Sequence, residues 1–123
     1  MKTPEQQVED LKRQGGIDVA EAEVGTKILI ETTMAVYELK VLEPSTARVD
    51  IQGTDQIFSA SKGVHQAEVV FSTTGAPLDV SVPNWIGKGL RIALKSSGGV
   101  IVMVSSVVSA RITAPDESWS YEL

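Results

Sequence analysis

The sequence predicts a mainly β domain, a small antiparallel barrel or sandwich of about seven to eight short strands with a short N-terminal helix. Val and Ile, which favour strands, outnumber Leu. From Thr26 to Ile112, apolar and polar residues alternate, and clusters of Gly, Pro and Ser separate the alternating segments. A chain of 123 residues fits one domain. We therefore expect a helix in residues 1–16, a single β domain in residues 17–114 and an acidic aromatic tail in residues 115–123.

The N-terminal helix is predicted by its capping residues. Thr3 and Gln6 have the spacing of a Thr-x-x-Gln capping box, and Gly15-Gly16 ends the helix. Its apolar face consists of Val8 and Leu11 only. So thin a face predicts a helix that is either lightly docked or partly frayed.

The strands are expected in an uninterrupted series after residues 17–25, which fit either a loop or a weak helical turn. The first three form a meander, and a Ser-Ser-Gly-Gly turn joins the sixth and seventh as a hairpin. The seventh strand contains no polar residue, so we expect both of its faces to be covered. The eight predicted strands are Thr26–Thr32, Tyr37–Val41, Arg48–Gln52, Val64–Phe71, Leu78–Val82, Leu90–Lys95, Val100–Val104 and Val108–Ile112.

Composition excludes several classes of site. The sequence contains no cysteine, which excludes disulfides, thiolate zinc sites and thiol nucleophiles. Its first residues are polar with no apolar stretch behind them, and the longest apolar run, Val100–Val104, is too short to span a bilayer. We therefore expect a cytoplasmic protein with no membrane partner. The net charge of −5 argues against general binding of nucleic acid.

No catalytic or metal pattern emerges from the reactive residues. His65 is the only histidine, so a Ser-His-Asp relay would need the fold to bring Ser72 or Ser105 beside it. A carboxylate pair such as Glu38 and Asp50 could form only in three dimensions, and no two-ligand metal spacing is present. We interpret His65 as a partly exposed strand residue and expect no catalytic residue, cofactor or metal.

The most distinctive short segment is Trp85-Ile86-Gly87-Lys88-Gly89. Two glycines around a lysine could bring backbone amides and an ammonium group to an anion, although the phosphate-loop spacing is missing. The alternative is structural: the glycines allow a bend into the next strand, and Trp85 plugs one end of a barrel. We favour the structural alternative.

A cationic hairpin follows that segment. Residues 84–112 contain four cations and no acidic residue. These cations either pair with acidic neighbours in the fold or bind an anionic ligand. The candidate ligand-binding residues are Trp85, Lys88, Arg91 and Arg111, and Lys95 completes the cationic set.

The C-terminal tail carries an alternating pattern, in which Trp119, Tyr121 and Leu123 are separated by serine and glutamate residues. This pattern fits a strand added to the protein's own sheet, to a second copy or to another protein. A frayed acidic tail is the remaining alternative. Trp119 and Tyr121 are therefore the candidate partner-binding residues.

Five short segments, 22 residues in all, form a series between residues 25 and 109. They resemble segments of a group of small, uncharacterised bacterial β-rich proteins, whose late strand usually reads Thr-Thr-Ser-Pro where this chain has Val-Ser-Ser-Val at residues 104–107. The resemblance implies a β-rich bacterial protein and implies no functional residue. The segments are Gly25-Thr26, Tyr37–Val41, Ile51–Gly53, Trp85–Ile92 and Ser106–Ser109.

Three functions are compatible with these patterns. The first hypothesis is a non-enzymatic binding or protein-interaction module that self-associates or pairs through a sheet edge. The second is a binder of an anionic small molecule or single-stranded nucleic acid at the cationic hairpin. The third is a hydrolase that uses His65.

Overall fold

The computed structural model describes residues 3–74 and 80–113. Within them, the helix α1 (Pro4–Arg13) precedes ten strands. The predicted mainly β fold with a short N-terminal helix is confirmed, and its two antiparallel sheets form a sandwich-like arrangement. The strands are β1 (Gly16–Asp18), β2 (Lys27–Thr32), β3 (Val36–Glu43), β4 (Arg48–Gly53), β5 (His65–Thr73), β6 (Ser81–Pro83), β7 (Trp85–Gly87), β8 (Arg91–Ser96), β9 (Ile101–Met103) and β10 (Val107–Ile112).

Helix α1 begins at the capping box that the sequence predicts. The Thr3 hydroxyl accepts a hydrogen bond from the Gln6 amide, and the Gln6 side chain accepts one from the Thr3 amide. Leu11 is buried and Val8 is partly buried against the β domain. Because a ten-residue helix is marginal in isolation, this small apolar contact is what holds it in place. The helix is therefore docked rather than frayed.

The large sheet has the order β10-β2-β3-β4-β5-β8-β9, with antiparallel pairing between neighbours, and β6 pairs with the end of β5. Strands β2, β3 and β4 form the expected meander. Strands β8 and β9 form the expected hairpin. The meander and the hairpin both follow from the period-two alternation of their strands. This alternation fixes the register, because a slip of one residue would turn the apolar face to solvent.

The main core lies on one face of this sheet. Ile28, Leu39 and Ile51 stand opposite one another on β2, β3 and β4, and all three are fully buried. Burying a side chain of this size contributes about 1.5–3 kcal/mol. Phe58, from the loop after β4, is another fully buried member of this core.

Strands β1 and β7 form a separate two-stranded ribbon, which the sequence did not predict because three residues are too few to show alternation. Ile86 in β7 is fully buried in the main core. Trp85 instead packs in a second cluster with Leu11 of α1, Val82 and Leu90. Neighbouring strand residues point to opposite faces, so only one of the two can enter the main core. The prediction that Trp85 plugs the end of a barrel is therefore wrong, and Ile86 occupies the core at this position.

The last two strands differ from expectation in their burial. Val100 and Ile101 are 62% and 51% exposed, so the prediction that both faces of this segment are covered is wrong. A bulge between Val107 and Ser109 makes Val108 an extra residue in its strand. The bulge leaves Val107 buried and Val108 exposed, which reverses the inward position that alternation predicted for Val108.

Candidate functional site

Trp85, the first candidate ligand-binding residue, lies beneath α1. Its side chain is only 9% exposed and contacts Leu11, and the ammonium nitrogen of Lys12 stands 5.6 Å from the ring centroid. The indole Nε1 is buried without a hydrogen-bond partner among the described residues. The ring is thus covered by the protein's own helix.

Two glycines make room for that ring. A Cβ added at Gly16 would lie 2.7 Å from two ring carbons of Trp85 and 2.4 Å from the carbonyl oxygen of Ile86. A Cβ added at Gly87 would lie 2.7 Å from the indole Nε1. Gly89 has a φ of +82° and supplies the bend into β8. Of the two glycines in the Gly-Lys-Gly segment, one therefore serves packing and the other serves the turn.

Ser72 of β5 forms hydrogen bonds with strand β7. It is fully buried; its hydroxyl donates to the carbonyl oxygen of Trp85 and accepts from the amide of Gly87 at 3.2 Å. The hydroxyl thus joins β5 to the β7 ribbon, which is a structural role.

The three candidate cations are exposed, whereas Trp85 is buried. Lys88 is exposed and borders an open depression of about 220 Å³ lined by Gly15, Gly16, Ser109 and Ala110. Arg111 is exposed two residues beyond Ser109 on β10. Arg91 is exposed on β8, where its Nε donates to the carbonyl oxygen of Val104 at 3.3 Å. Lys88 thus lies in the turn between β7 and β8, Arg91 on β8 and Arg111 on β10.

His65 lies at the start of β5. Its Nε2 is 3.1 Å from the carbonyl oxygen of Ser59, and its ring packs edge-on against Phe58. Ser72 lies seven residues further along the same strand, about 23 Å away at the usual rise. Ser105 donates its hydroxyl proton to Thr32 at 2.9 Å. Neither of the serines considered for a relay with His65 is directed towards it.

The loop between β4 and β5 holds a polar contact that the sequence analysis missed. The Tyr37 hydroxyl donates to Asp55 at 2.5 Å, and the other Asp55 oxygen accepts from the Phe58 amide at 2.7 Å. Burial first, and then the contact with Asp55, raise the pKa of Tyr37 above its usual value. Tyrosine and aspartate 18 residues apart have no sequence signature, so only the fold could reveal this pair.

Glu38 and Asp50 do not form a facing pair. In the sheet Glu38 stands opposite Gln52, whereas Asp50 stands opposite Lys40. With Lys27 they border an open depression of about 270 Å³ on the outer face of β2–β4. Mixed charges of this kind are typical of a solvated sheet face.

The feature that stands out is the edge formed by β9. Among described residues β9 pairs with β8 alone, and it ends the strand order of the large sheet. Ile101 is 51% and Met103 37% exposed, while Val102 is partly buried against the main core. An exposed apolar edge strand offers unpaired backbone groups together with apolar side chains, and most proteins cover or charge such edges.

The outer face beside this edge continues its apolar character. In register, Met103 stands opposite Ala93 of β8, which stands opposite Phe71 of β5. In the next row Ile101 stands opposite Lys95, which stands opposite Glu68. Glu68 is thus the cross-strand neighbour of Lys95. We call Ile101–Met103 with this adjoining face the β9 edge.

No family model matches the chain, and no curated protein or solved structure is similar to it. The resemblance to bacterial β-rich proteins stays a prediction from short segments. Trp119 and Tyr121, the candidate partner-binding residues, lie outside the described residues.

Two further properties bear on function. In the part of the chain that the structure describes, no helix is both long enough and apolar enough to cross a membrane. Across the same residues, no three His, Asp or Glu side chains are grouped so that they could hold a metal ion.

Proposed function

We propose that this protein is a non-enzymatic protein-interaction module that binds an extended segment of a protein along the β9 edge. The observation that carries the proposal is the half-exposed apolar strand β9, which the described residues pair along one side only. The sequence-based expectations of a bacterial origin and a cytoplasmic location belong to the same proposal.

Strand addition explains how such an edge would bind. An added strand makes backbone hydrogen bonds to β9, which provide affinity without regard to sequence. Its alternate side chains then meet Ile101 and Met103 on the outer face, which favours apolar residues at every second position. The main core supports β9 from the inner face through Val102, so the edge is held in an extended form before binding.

A selection experiment tests this proposal. Displayed peptides of ten residues are selected on the full chain and then measured on the variant Ile101→Lys/Met103→Lys. Both positions are exposed, so the variant should fold, while the two charges oppose strand addition. We expect selected peptides to alternate apolar and polar residues and to bind the variant at least about tenfold more weakly.

The matched control is Val24→Lys/Val64→Lys, which adds the same charges at two exposed apolar positions outside β9, 70% and 61% exposed. Peptides should bind this control as they bind the wild type. Equal binding to the wild type and the β9 variant, or no selected peptide at all, would contradict the proposal.

The depression beside Lys88 supports a second candidate, the binding of an anionic small molecule or single-stranded nucleic acid. An exposed ammonium group there adjoins a space floored by two glycines, where a small anion could approach the backbone. NMR titration with inorganic phosphate, a nucleotide and a short single-stranded oligonucleotide tests it. Unchanged amide shifts of Gly16, Lys88 and Ser109 would eliminate this candidate.

A further inference from the structure

The chemistry of the β9 edge restricts what can pair with it. Its outer face presents Ile101 and Met103, and the neighbouring strand contributes Arg91 and Lys95 on the same face, with one acid, Glu68, opposite Lys95. Residues 84–112 contain no acidic residue. The best complement is therefore an extended segment with apolar residues at alternate positions and acidic residues around them.

The chain itself carries such a segment. Residues 116–123 read Asp-Glu-Ser-Trp-Ser-Tyr-Glu-Leu, which place Trp119, Tyr121 and Leu123 at alternate positions and include three acidic residues and no basic one. Added to β9 as a strand, the two aromatic residues would share a face with Ile101 and Met103. Large aromatic side chains are the residues that contribute most at protein interfaces.

Chain length decides which copy of the tail can reach this edge. Strands β9 and β10 follow one another and run in the same direction. The register of their partner strands places Met103 about eight strand residues before Thr113, roughly 26 Å along the sheet. Trp119 lies six residues after Thr113 and reaches at most about 22 Å from it. The tail would also have to reverse its direction, so Trp119 falls short of Met103 in its own copy.

We propose that residues 116–123 of one copy add as a strand to the β9 edge of a second copy. This inference rests on the proposed function and names its partner as a second copy of the chain. When the exchange is reciprocal, the two copies form a closed dimer in which each contributes a tail and an edge.

Sedimentation velocity of the full chain at increasing concentration tests the inference. The wild type should shift from its 13.2 kDa monomer towards about twice that mass. The tail variant Trp119→Ser/Tyr121→Ser and the edge variant Ile101→Glu/Met103→Glu should each remain monomeric. The first loses the aromatic contacts, and the second replaces apolar partners with charges that repel the acidic tail.

A mixture of the two variants is the decisive measurement. The tail variant retains an intact edge and the edge variant retains an intact tail, so an equimolar mixture should form a heterodimer through one remaining interface. Direct pairing of one β9 edge with another would not be restored in this mixture, because one of the two edges is altered.

Matched controls separate these effects from general ones. Ser118→Ala/Ser120→Ala alters the opposite side of the same tail, and Val24→Glu/Val64→Glu adds equal charge at exposed positions outside the edge. Both controls should dimerise as the wild type does. Raising the salt concentration should weaken the dimer, because charges of opposite sign meet at the interface.

Three results would overturn the inference: a wild type that stays monomeric, variants that dimerise as well as the wild type, or a mixture that stays monomeric. A monomeric wild type whose Trp119 emission changes in the edge variant would indicate docking within one copy, which also overturns it. The peptide selection decides the proposed function separately. If selected peptides bind at β9 but the tail of a second copy does not, the proposed interaction module is supported and only the inference about its partner fails.

Discussion

Replacement of Gly16 by alanine tests whether Trp85 is a packing residue rather than part of a ligand site. The new Cβ would stand 2.4 Å from the Ile86 carbonyl oxygen and 2.7 Å from the Trp85 ring, so either the backbone of β7 or the indole must move by about 1 Å. Overpacking of this kind costs about 1–3 kcal/mol. The reduced freedom of the unfolded chain offsets about 0.4–1 kcal/mol of this. The net expectation is a loss of about 1.3 kcal/mol, within a range of roughly 0–2.6 kcal/mol.

Urea unfolding measures this change in the free energy of unfolding, and Trp85 emission, recorded in a Trp119→Phe background, reports the position of the ring. We expect the Gly16→Ala variant to unfold at lower urea concentration with emission shifted to the red. Gly98→Ala is the control, because its added Cβ would have only the Ser96 hydroxyl nearby, at 3.9 Å. That control should be neutral or slightly stabilised. If Gly16→Ala matched the control in stability and emission, the packing role of Trp85 would be refuted.

Two further variants test contacts that hold the fold. Tyr37→Phe should lose about 1.5–3 kcal/mol near neutral pH, because the charged hydrogen-bond partner Asp55 loses its donor. Because the pKa of Tyr37 is raised in the folded protein, its hydroxyl loses the proton more readily in the unfolded chain, where this begins at roughly pH 10. Above that pH, the free energy of unfolding of the wild type should therefore fall more steeply than that of Tyr37→Phe. Urea unfolding of both proteins from pH 9 to 11.5 measures this, and an equal pH dependence in the two would disprove it. Ser72→Ala should lose about 1–3 kcal/mol, because the Trp85 carbonyl and the Gly87 amide both lose a buried partner. A Tm equal to that of the wild type would show that these groups find other partners.

Local sequence patterns predicted the elements whose side chains obey one simple period. The capping residues Thr3 and Gln6 place the start of α1, because the bonds that define a helix start join neighbours in the chain. The alternation around Leu39 and Ile51 predicts both the strands and their buried face, because a strand with one face in the core must alternate. The turn before β9 is equally local, since Ser and Gly favour the backbone conformations of a tight hairpin.

Where a period is interrupted, the sequence was misleading. Val108 belongs to an apolar series, yet a single extra residue in β10 turns it to solvent. The same apolar character in Val100–Val104 predicted burial on both faces, whereas exposure depends on whether another strand lies alongside. A sequence gives the apolarity of a strand and is silent on its position in the sheet order.

The mainly β fold, the helix start and the absence of thiol chemistry follow from the sequence alone, because each depends on composition or on residues a few positions apart. Tertiary structure alone decided that Trp85 lies under α1, that Ser72 joins β5 to β7 and that the candidate cations are exposed while Trp85 is buried. These facts depend on contacts between distant segments, whose positions arise from the packing of the whole sheet. The exposed apolar edge of β9 is also a feature that only the tertiary structure decided, because the order of strands along the chain does not specify which strand lies at the edge of the sheet.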